Sequence, residues 1–171
     1  NLTQLTGGMT GLRANATVAN EMEAFSSPDL MQKVVEKLHL ETRYVEDQFL
    51  RGVEYYQDNP VELRLVEGNP STSFSFTLVN RGEKGLLLKD FVIGPDEVDG
   101  EAECFLGDTI TTPAGVLSVI PTTYIEDFEK DIRISWANSM SRAKAFCQNL
   151  SVSLSGKEST VVVISLEDKF P

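Results

Sequence analysis

The sequence is poor in the side chains that most catalytic and metal-binding sites use. Among its 171 residues it has one histidine, His39, and two cysteines, Cys104 and Cys147. A structural zinc site needs several such ligands close together, and no ligand pattern surrounds either cysteine. The cysteines are compatible with one disulfide bond, with two free thiols, or with two small buried apolar side chains. We therefore expect no metal site and no cofactor.

Basic side chains are also scarce. The chain has 15 lysines and arginines against 26 aspartates and glutamates, which gives a formal charge of -11. Such a field repels phosphate backbones, so nucleic acid is not an expected partner. Anionic membrane surfaces are disfavoured for the same reason, because no polybasic cluster overrides the net charge.

Long hydrophobic runs are missing as well. No stretch approaches the roughly 20 apolar residues of a membrane-spanning helix, and no signal-peptide pattern is present. The chain starts at Asn1 without methionine and stops at Pro171, a residue that suits the first turn of a helix. We expect a fragment of a longer protein. Its length favours a single domain spanning residues 1–171.

The motifs of common enzymes are absent or incomplete. Ser141 and Lys144 match the S-x-x-K pattern of penicillin-binding enzymes, but its K-T-G companion is missing. These two residues are better interpreted as the solvated face of a helix. His39 lies between two leucines without a nucleophile near it in sequence, and no phosphate-binding glycine motif occurs. We expect no catalytic residues and no enzyme activity in this chain.

Two groups of residues suggest contacts with sugars. The acidic group Asp96, Glu97, Asp99, Glu101 and Glu103 suggests a glycosidase pair or a weak calcium site, but a solvated hairpin explains it more simply. A sugar-stacking surface could be formed by the aromatic residues Tyr44, Tyr55, Tyr56, Tyr124 and Trp136. Packing in the core or at its rim is the simpler role for most of these aromatic residues.

Helical periodicity appears in three segments. Apolar residues at helical spacing predict one helix from about Thr10 to about Ser26. A second helix follows, with Ser27 as cap and Pro28 in its first turn, and its apolar stripe is predicted to pack in the core. That stripe consists of Leu30, Val34, Val35 and Leu38. A third helix is predicted from Asn138 to Leu150.

Strand signals dominate between residues 61 and 120. Alternating apolar residues predict half-buried strands at 61–65 and 74–78, and a turn at 80–85 leads into a second hairpin arm that ends at Ile93. Further strands are predicted at 101–106, 115–120 and 131–136, and a turn that needs Pro113 and Gly115 precedes the second of these. The continuous apolar run Val161 to Ile164 predicts a strand buried on both faces in the middle of a sheet.

Together these elements predict an α+β fold. We expect a mixed sheet packed against the N-terminal helices and one late helix, with a β-rich insertion at about 61–120.

Segments near both ends of the chain resemble the periplasmic part of the Wzz-type polysaccharide chain-length determinants. The segments that carry the resemblance are Asn20-Glu21-Met22-Glu23, Ser27-Pro28-Asp29-Leu30, Val34-Val35-Glu36-Lys37-Leu38-His39-Leu40, Tyr44, and Ser159 to Pro171 with Asp168 in its last turn. The resemblance covers roughly residues 16 to 60 and 131 to 171. Residues 106–117 are similar to a turn and strand of the larger members, which also carry a cytoplasmic tyrosine kinase.

The resemblance implies a non-catalytic periplasmic domain of a polysaccharide co-polymerase. Two spans anchor such a parent protein in the bacterial inner membrane, where copies of it form a scaffold that regulates chain length or export of capsular polysaccharide or exopolysaccharide. The implied partners are further copies of the protein, the polymerase or export machinery, and the nascent glycan. An alternative is a periplasmic sensor or glycan-binding module that signals to a linked kinase.

Overall fold

The computed structural model describes residues 18–46, 52–156, 159 and 161–167. The predicted start of the first helix, Asp168 and Pro171 lie outside these residues. The helices are α1 (18–25), α2 (Pro28–Leu38) and α3 (Ser139–Asn149). The strands are β1 (Thr42–Glu46), β2 (Val53–Tyr55), β3 (Val61–Glu67), β4 (Phe74–Asn80), β5 (Leu86–Ile93), β6 (Asp96–Val98), β7 (Ala102–Cys104), β8 (Thr109–Thr112), β9 (Gly115–Pro121), β10 (Ile132–Trp136), β11 (Leu150–Leu154) and β12 (Val162–Leu166).

These elements form two compact units. A helical unit comprises Asn1–His39 and Ser139–Pro171, and a β unit comprises Leu40–Asn138. Helices and strands are therefore segregated along the chain, and the predicted α+β class is confirmed. The β unit is wider than the expected β-rich stretch, because β1 and β10 lie on either side of it in sequence and both join its larger sheet.

The β unit contains two antiparallel sheets. The larger has the strand order β2-β1-β10-β4-β5-β6, with β7 also paired to β5, and the smaller has the order β3-β9-β8. Every strand pair that the structure describes is antiparallel, so the α+β class holds but the expected mixed sheet is wrong. Strand β10 lies between β1 and β4, so residues far apart in sequence meet at the centre of the sheet.

The core of the β unit is built by alternation along the strands. In β4, Phe74, Phe76 and Leu78 are buried, as the period of two predicts. Buried side chains of the smaller sheet belong to the same cluster, so the two sheets enclose one core. Its fully buried members from β3, β9 and β10 are Val61, Leu117, Val119, Ile132 and Ile134. Each such side chain contributes about 1.5–3 kcal/mol relative to an exposed one.

The hairpin between β8 and β9 confirms the predicted role of its turn residues. Pro113 and Ala114 form the turn, and Gly115 follows with φ of +121°. A Cβ atom on Gly115 would lie 2.3 Å from the carbonyl oxygen of Glu67. The hydroxyl of Thr112 accepts a hydrogen bond from the Ala114 N–H at 3.2 Å and donates one to the Gly115 carbonyl at 2.9 Å. Glycine is therefore required by both backbone angle and space.

The helical unit confirms α2 and α3. Pro28 starts α2 and Ser27 occupies the N-cap position, although its side chain makes no capping hydrogen bond. His39 ends the helix with φ of 53° and donates its N–H to the Val35 carbonyl. Helix α3 packs on α2, where the hydroxyl of Ser139 donates to Glu36 at 2.9 Å.

Two burial predictions in this unit are wrong. Of the apolar stripe on α2 only Val35 is buried, whereas Leu30, Val34 and Leu38 are 39%, 38% and 59% exposed. These three residues repeat every four positions and form a ridge beside the face that carries Val35. Among the described residues β12 pairs only with β11, so the strand is not central. No described strand lies on the other side of β12, and Val163 and Ile164 are exposed.

Candidate interaction surfaces

The structure does not assemble the catalytic candidates. His39 is exposed at the end of α2, and Ser141 and Lys144 are exposed on α3, where the solvated-face interpretation is confirmed for them. Both cysteines are free thiols, Cys104 buried in the β unit and Cys147 half-buried in the helical unit. In the part of the chain that the structure describes, no three metal-ligating side chains are grouped to hold an ion.

The acidic segment 96–103 is solvated, as expected, but it is not a hairpin, because β6 and β7 both pair with β5. All five of its carboxylates are exposed, two of them on the edge strand β6. Glu103 forms a salt bridge of 2.6 Å with Arg81 on the neighbouring turn. Exposed pairs of this kind contribute about 0–1 kcal/mol. This segment therefore supplies negative surface charge rather than a buried acid and base.

Tyr44 connects the two sheets of the β unit. Its ring is buried in the core, and its hydroxyl accepts a hydrogen bond of 2.8 Å from the backbone N–H of Leu63. Strand β1 lies in the larger sheet and β3 in the smaller, so this bond crosses the core. Burial raises the pKa of Tyr44 above its ordinary value of 10.0. Its role is structural, as the packing interpretation predicted.

A polar network covers the β1–β2 edge of the larger sheet. Tyr55 donates its hydroxyl hydrogen to Glu46, whose other carboxylate oxygen lies 2.7 Å from the Lys130 ammonium. Burial, followed by the hydrogen bond to Glu46, raises the pKa of Tyr55. Arg43 binds Glu54 through two hydrogen bonds of 2.6 and 2.5 Å. Because each acid has a cationic or phenolic partner, the network holds β2 in place.

Two tyrosines at the neighbouring corner remain accessible. Tyr56 and Tyr124 are 70% and 43% exposed, and the loops that carry them are held together by Thr122. Its hydroxyl donates to the Asn59 carbonyl at 2.6 Å, and its N–H donates to the Pro60 carbonyl at 3.0 Å. These two rings are the members of the predicted aromatic group that a sugar could reach. The ring of Trp136 instead stacks on Phe74, with centroids 5.4 Å apart.

A small open cavity lies at one end of the β unit. It has a volume of about 280 Å³. Apolar and uncharged polar groups line it: Phe74, Ile93, Pro113, Ala114, Asn69, Thr72, Gly68 and Gly115. No charged side chain belongs to this lining. No sequence pattern indicated the cavity, because it combines the end of β5 with two loops that only the sheet topology brings together.

Several elements of the helical unit expose apolar side chains, and two of them expose more than one. One is the α2 ridge, which we define as Leu30, Val34 and Leu38, with the exposed Lys33 and Lys37 beside it. The other is β12, whose neighbouring residues Val163 and Ile164 are 42% and 50% exposed. Adjacent residues of a strand point to opposite faces, so both faces of β12 carry accessible apolar surface.

The β unit has an apolar tip at the β7–β8 turn. Phe105 and Leu106, which we call the tip, are 59% and 38% exposed. Two hydrogen bonds fix the turn: the Gly107 N–H donates to the Val119 carbonyl at 2.7 Å, and the Asp108 N–H to the Phe105 carbonyl at 3.1 Å. The sequence pattern had placed both tip residues in a strand. The following Gly107-Asp108 pair was the signal for a turn.

Comparison with known proteins gives no assignment. The chain matches no protein-family model and no curated protein sequence. Within the described residues no helix is long and apolar enough to cross a membrane.

Proposed function

We propose that this chain is a domain of a non-catalytic scaffold at the periplasmic face of the bacterial inner membrane. In this proposal the parent protein is a polysaccharide co-polymerase, held by two membrane spans, that regulates the chain length or export of capsular polysaccharide or exopolysaccharide. Its partners are other copies of itself, the polymerase or export machinery, and the nascent glycan. A cytoplasmic tyrosine kinase belongs to the same parent.

The observation that carries this proposal is the apolar surface of the helical unit. Both faces of β12 and the α2 ridge carry apolar side chains that are accessible to solvent. Large exposed apolar patches usually mark interaction sites. The resemblance to chain-length determinants places a further strand before the first helix and a long helix after Pro171. Such neighbouring segments, or neighbouring copies, would cover these side chains. A domain that works alone as an enzyme would not need these exposed apolar side chains.

A geometric mechanism needs no active site. Among the described residues His39, Ser141 and Lys144 are exposed on helices, and the acids of segment 96–103 are solvated. A scaffold acts instead by presenting repeated copies of one surface to a growing glycan or to its polymerase. A heterologous interface that closes by rotation produces such rings.

Polysaccharide from cells that lack the parent protein tests this function. We expect gel electrophoresis to show an altered length distribution or lost export, and restoration by the intact gene. A kinase-inactive version of the parent is the matched control, because it keeps the periplasmic domain unchanged. Wild-type polysaccharide in the deletion strain would contradict the proposal.

A glycan-binding sensor is the second candidate, and the uncharged cavity in the β unit favours it. A neutral sugar offers both an apolar face and hydroxyl groups, which matches a lining of apolar, amide and hydroxyl side chains. The accessible rings of Tyr56 and Tyr124 offer a second surface for stacking.

Nuclear magnetic resonance titration separates the two candidates. Oligosaccharides released from the source bacterium's own polysaccharide are added to labelled chain, and the amide signals of Thr72 and Gly115 are followed. The sensor function predicts saturable shifts at these cavity residues that disappear in Thr72→Lys. Unchanged spectra at high sugar concentration favour the scaffold.

A further inference from the structure

The α2 ridge and the β7–β8 tip have complementary chemistry. The ridge is apolar, and Asp29, Lys33 and Lys37 precede Leu30, Val34 and Leu38 by one residue each, so one acid and two bases run along one side of it. Both ammonium groups belong to exposed residues. Glu36 does not neutralise this side, because its carboxylate accepts hydrogen bonds from Gln32 and Ser139 towards α3. The ridge is therefore an apolar surface with a basic margin.

The tip has the opposite charge at its margin. Phe105 and Leu106 are flanked in sequence by the exposed acids Glu103, which forms the salt bridge with Arg81, and Asp108, for which no ion pair is found among the described residues. Side chains 103 and 105 project to the same side of the chain, because the residues are two apart along an extended segment. The carboxylate of Asp108 lies close enough to Cys104 to raise the pKa of its thiol, after the larger effect of burial. Further exposed acids follow the adjoining strands, including Glu97 and Glu101.

Both surfaces are fixed before any partner arrives. The ridge lies on a helix that begins at Pro28, ends at the His39 cap and is tied to α3 through Ser139. The tip is pinned to β9 by the Gly107 N–H, and its Phe105 ring borders Gly85, where a Cβ atom would come within 3.1 Å of the ring. Rigid surfaces lose little conformational entropy on association, which favours binding per unit of buried area.

We propose that the α2 ridge of one copy docks against the β7–β8 tip of a second copy of the same chain. The occupant is a second copy because the same chain carries the acid-flanked apolar partner that the basic-flanked ridge requires. The contact is heterologous, since each copy offers a ridge to one neighbour and a tip to another, and such contacts build rings or open arrays. This inference rests on the proposed scaffold function and names the surfaces through which the copies meet.

The interface need only be weak in the isolated chain. Membrane spans that hold copies together give an effective concentration of about millimolar, so a contact that forms in this range is sufficient. The net charge of -11 opposes general self-association, which makes an oriented contact between opposite charges easier to recognise.

Paired charge reversals test the proposal. The ridge variant is Lys33→Glu/Lys37→Glu and the tip variant is Glu103→Lys/Asp108→Lys. Sedimentation equilibrium of the 171-residue chain, up to about 1 mM protein, measures association of each variant alone and of their equimolar mixture. We expect each variant alone to associate at least about tenfold more weakly than wild type, because like charges then face each other.

The mixture is the decisive sample. A reversed ridge on one variant meets a reversed tip on the other, and the two unchanged surfaces also match, so association should return towards the wild-type value. The matched control is Arg133→Glu/Lys144→Glu, which makes the same change in net charge at exposed positions on β10 and α3. Mixing this control with the tip variant should not restore association. Circular dichroism checks that every variant folds, as exposed substitutions rarely change stability by more than about 0.5 kcal/mol.

The failures of the two proposals are distinguishable. Wild-type association that persists in both variants overturns the ridge and tip contact while leaving a scaffold that uses another surface. If each variant associates more weakly but their mixture shows no rescue, the ridge and tip contact is also overturned. The substitutions would then act through the net charge of the chain rather than through a specific contact. No association of the wild-type chain at about 1 mM overturns the interface and weighs against the scaffold as well.

Discussion

Gly115 shows how one residue determines the path of two strands. It lies at the start of β9 with φ of +121°, and its Cα faces the backbone of Glu67 and Gly68 at the end of β3. The backbones of β3 and β9 approach each other so closely here that no side chain fits between them. The same residue lines the cavity of the β unit, so its conformation also fixes one wall of that cavity.

Gly115→Ala should destabilise the β unit by about 3 kcal/mol or more, because it combines a positive φ with a clash against backbone. Gly94→Ala is the matched control. Gly94 also has a positive φ, of +59°, but a Cβ atom there meets nothing within 4 Å. We expect about 1–2 kcal/mol for the control. Urea unfolding followed by the fluorescence of Trp136, the single tryptophan, measures both; equal losses would contradict the packing argument.

Tyr44 makes the free energy of unfolding depend on pH in the alkaline range. Its pKa is raised in the folded chain above 10.0, the value that applies to unfolded tyrosine. Above pH 10 the unfolded state loses the phenolic proton while the folded state keeps it, so stability falls as pH rises. Below pH 10 this contribution is fully present.

Tyr44→Phe should cost about 1–3 kcal/mol at neutral pH, because the buried Leu63 N–H loses its acceptor. The difference from wild type should shrink above pH 10, since only the wild type retains this ionisable group. Unfolding free energies in urea at several pH values between about 8 and 11 provide the measurement. The exposed Tyr56→Phe serves as control and should follow the wild type at every pH. A constant gap between wild type and Tyr44→Phe would argue against ionisation of Tyr44.

Strand β12 is the element whose environment differs most from the sequence prediction. An unbroken run of β-branched residues is typical of a central strand, yet the structure places it in a two-stranded sheet with β11. A hairpin of two strands is marginal without further support. Under the scaffold proposal, segments of the parent or neighbouring copies supply that support.

Val163→Asp should therefore leave the 171-residue chain folded, because the side chain is already 42% exposed. Ala143→Asp is the matched control in the same unit, where the methyl group is fully buried on α3. That change should cost several kcal/mol or force the carboxyl group to stay protonated. Nuclear magnetic resonance spectra of α2, α3 and β11 report on both variants. Unfolding of the helical unit by Val163→Asp would restore the central-strand interpretation.

Local patterns predicted the elements better than their burial. Alternation located β3 and β4, since each of these strands has one face on the core. The same reasoning failed for α2, because periodicity identifies an apolar side of a helix but not what covers it. Pattern reasoning also missed β1, which carries the charged residues Arg43 and Glu46 on either side of Tyr44. This strand depends on partners more than 80 residues away. The cavity and the tip depend on the same long-range pairing.

At the scale of the whole molecule, the proposed scaffold function predicts no catalysis by this chain. His39 and the S-x-x-K residues lie on exposed helical positions, and the acids of the β unit are solvated or paired. We expect only background rates with glycan and ester substrates and with ATP. Saturable turnover that disappears on His39→Ala or on removal of one carboxylate would contradict a purely structural role.

The central claim is that the parent protein works as an assembly of identical copies. We expect the charge of -11 to keep the isolated chain monomeric or weakly associating at low concentration, and the proposed membrane spans would raise the local concentration of copies. The most direct measurement is the mass of the detergent-solubilised full-length protein, by light scattering or mass photometry. The account predicts a defined higher oligomer. A parent protein that remains monomeric under conditions where it supports polysaccharide production would contradict it and favour the sensor.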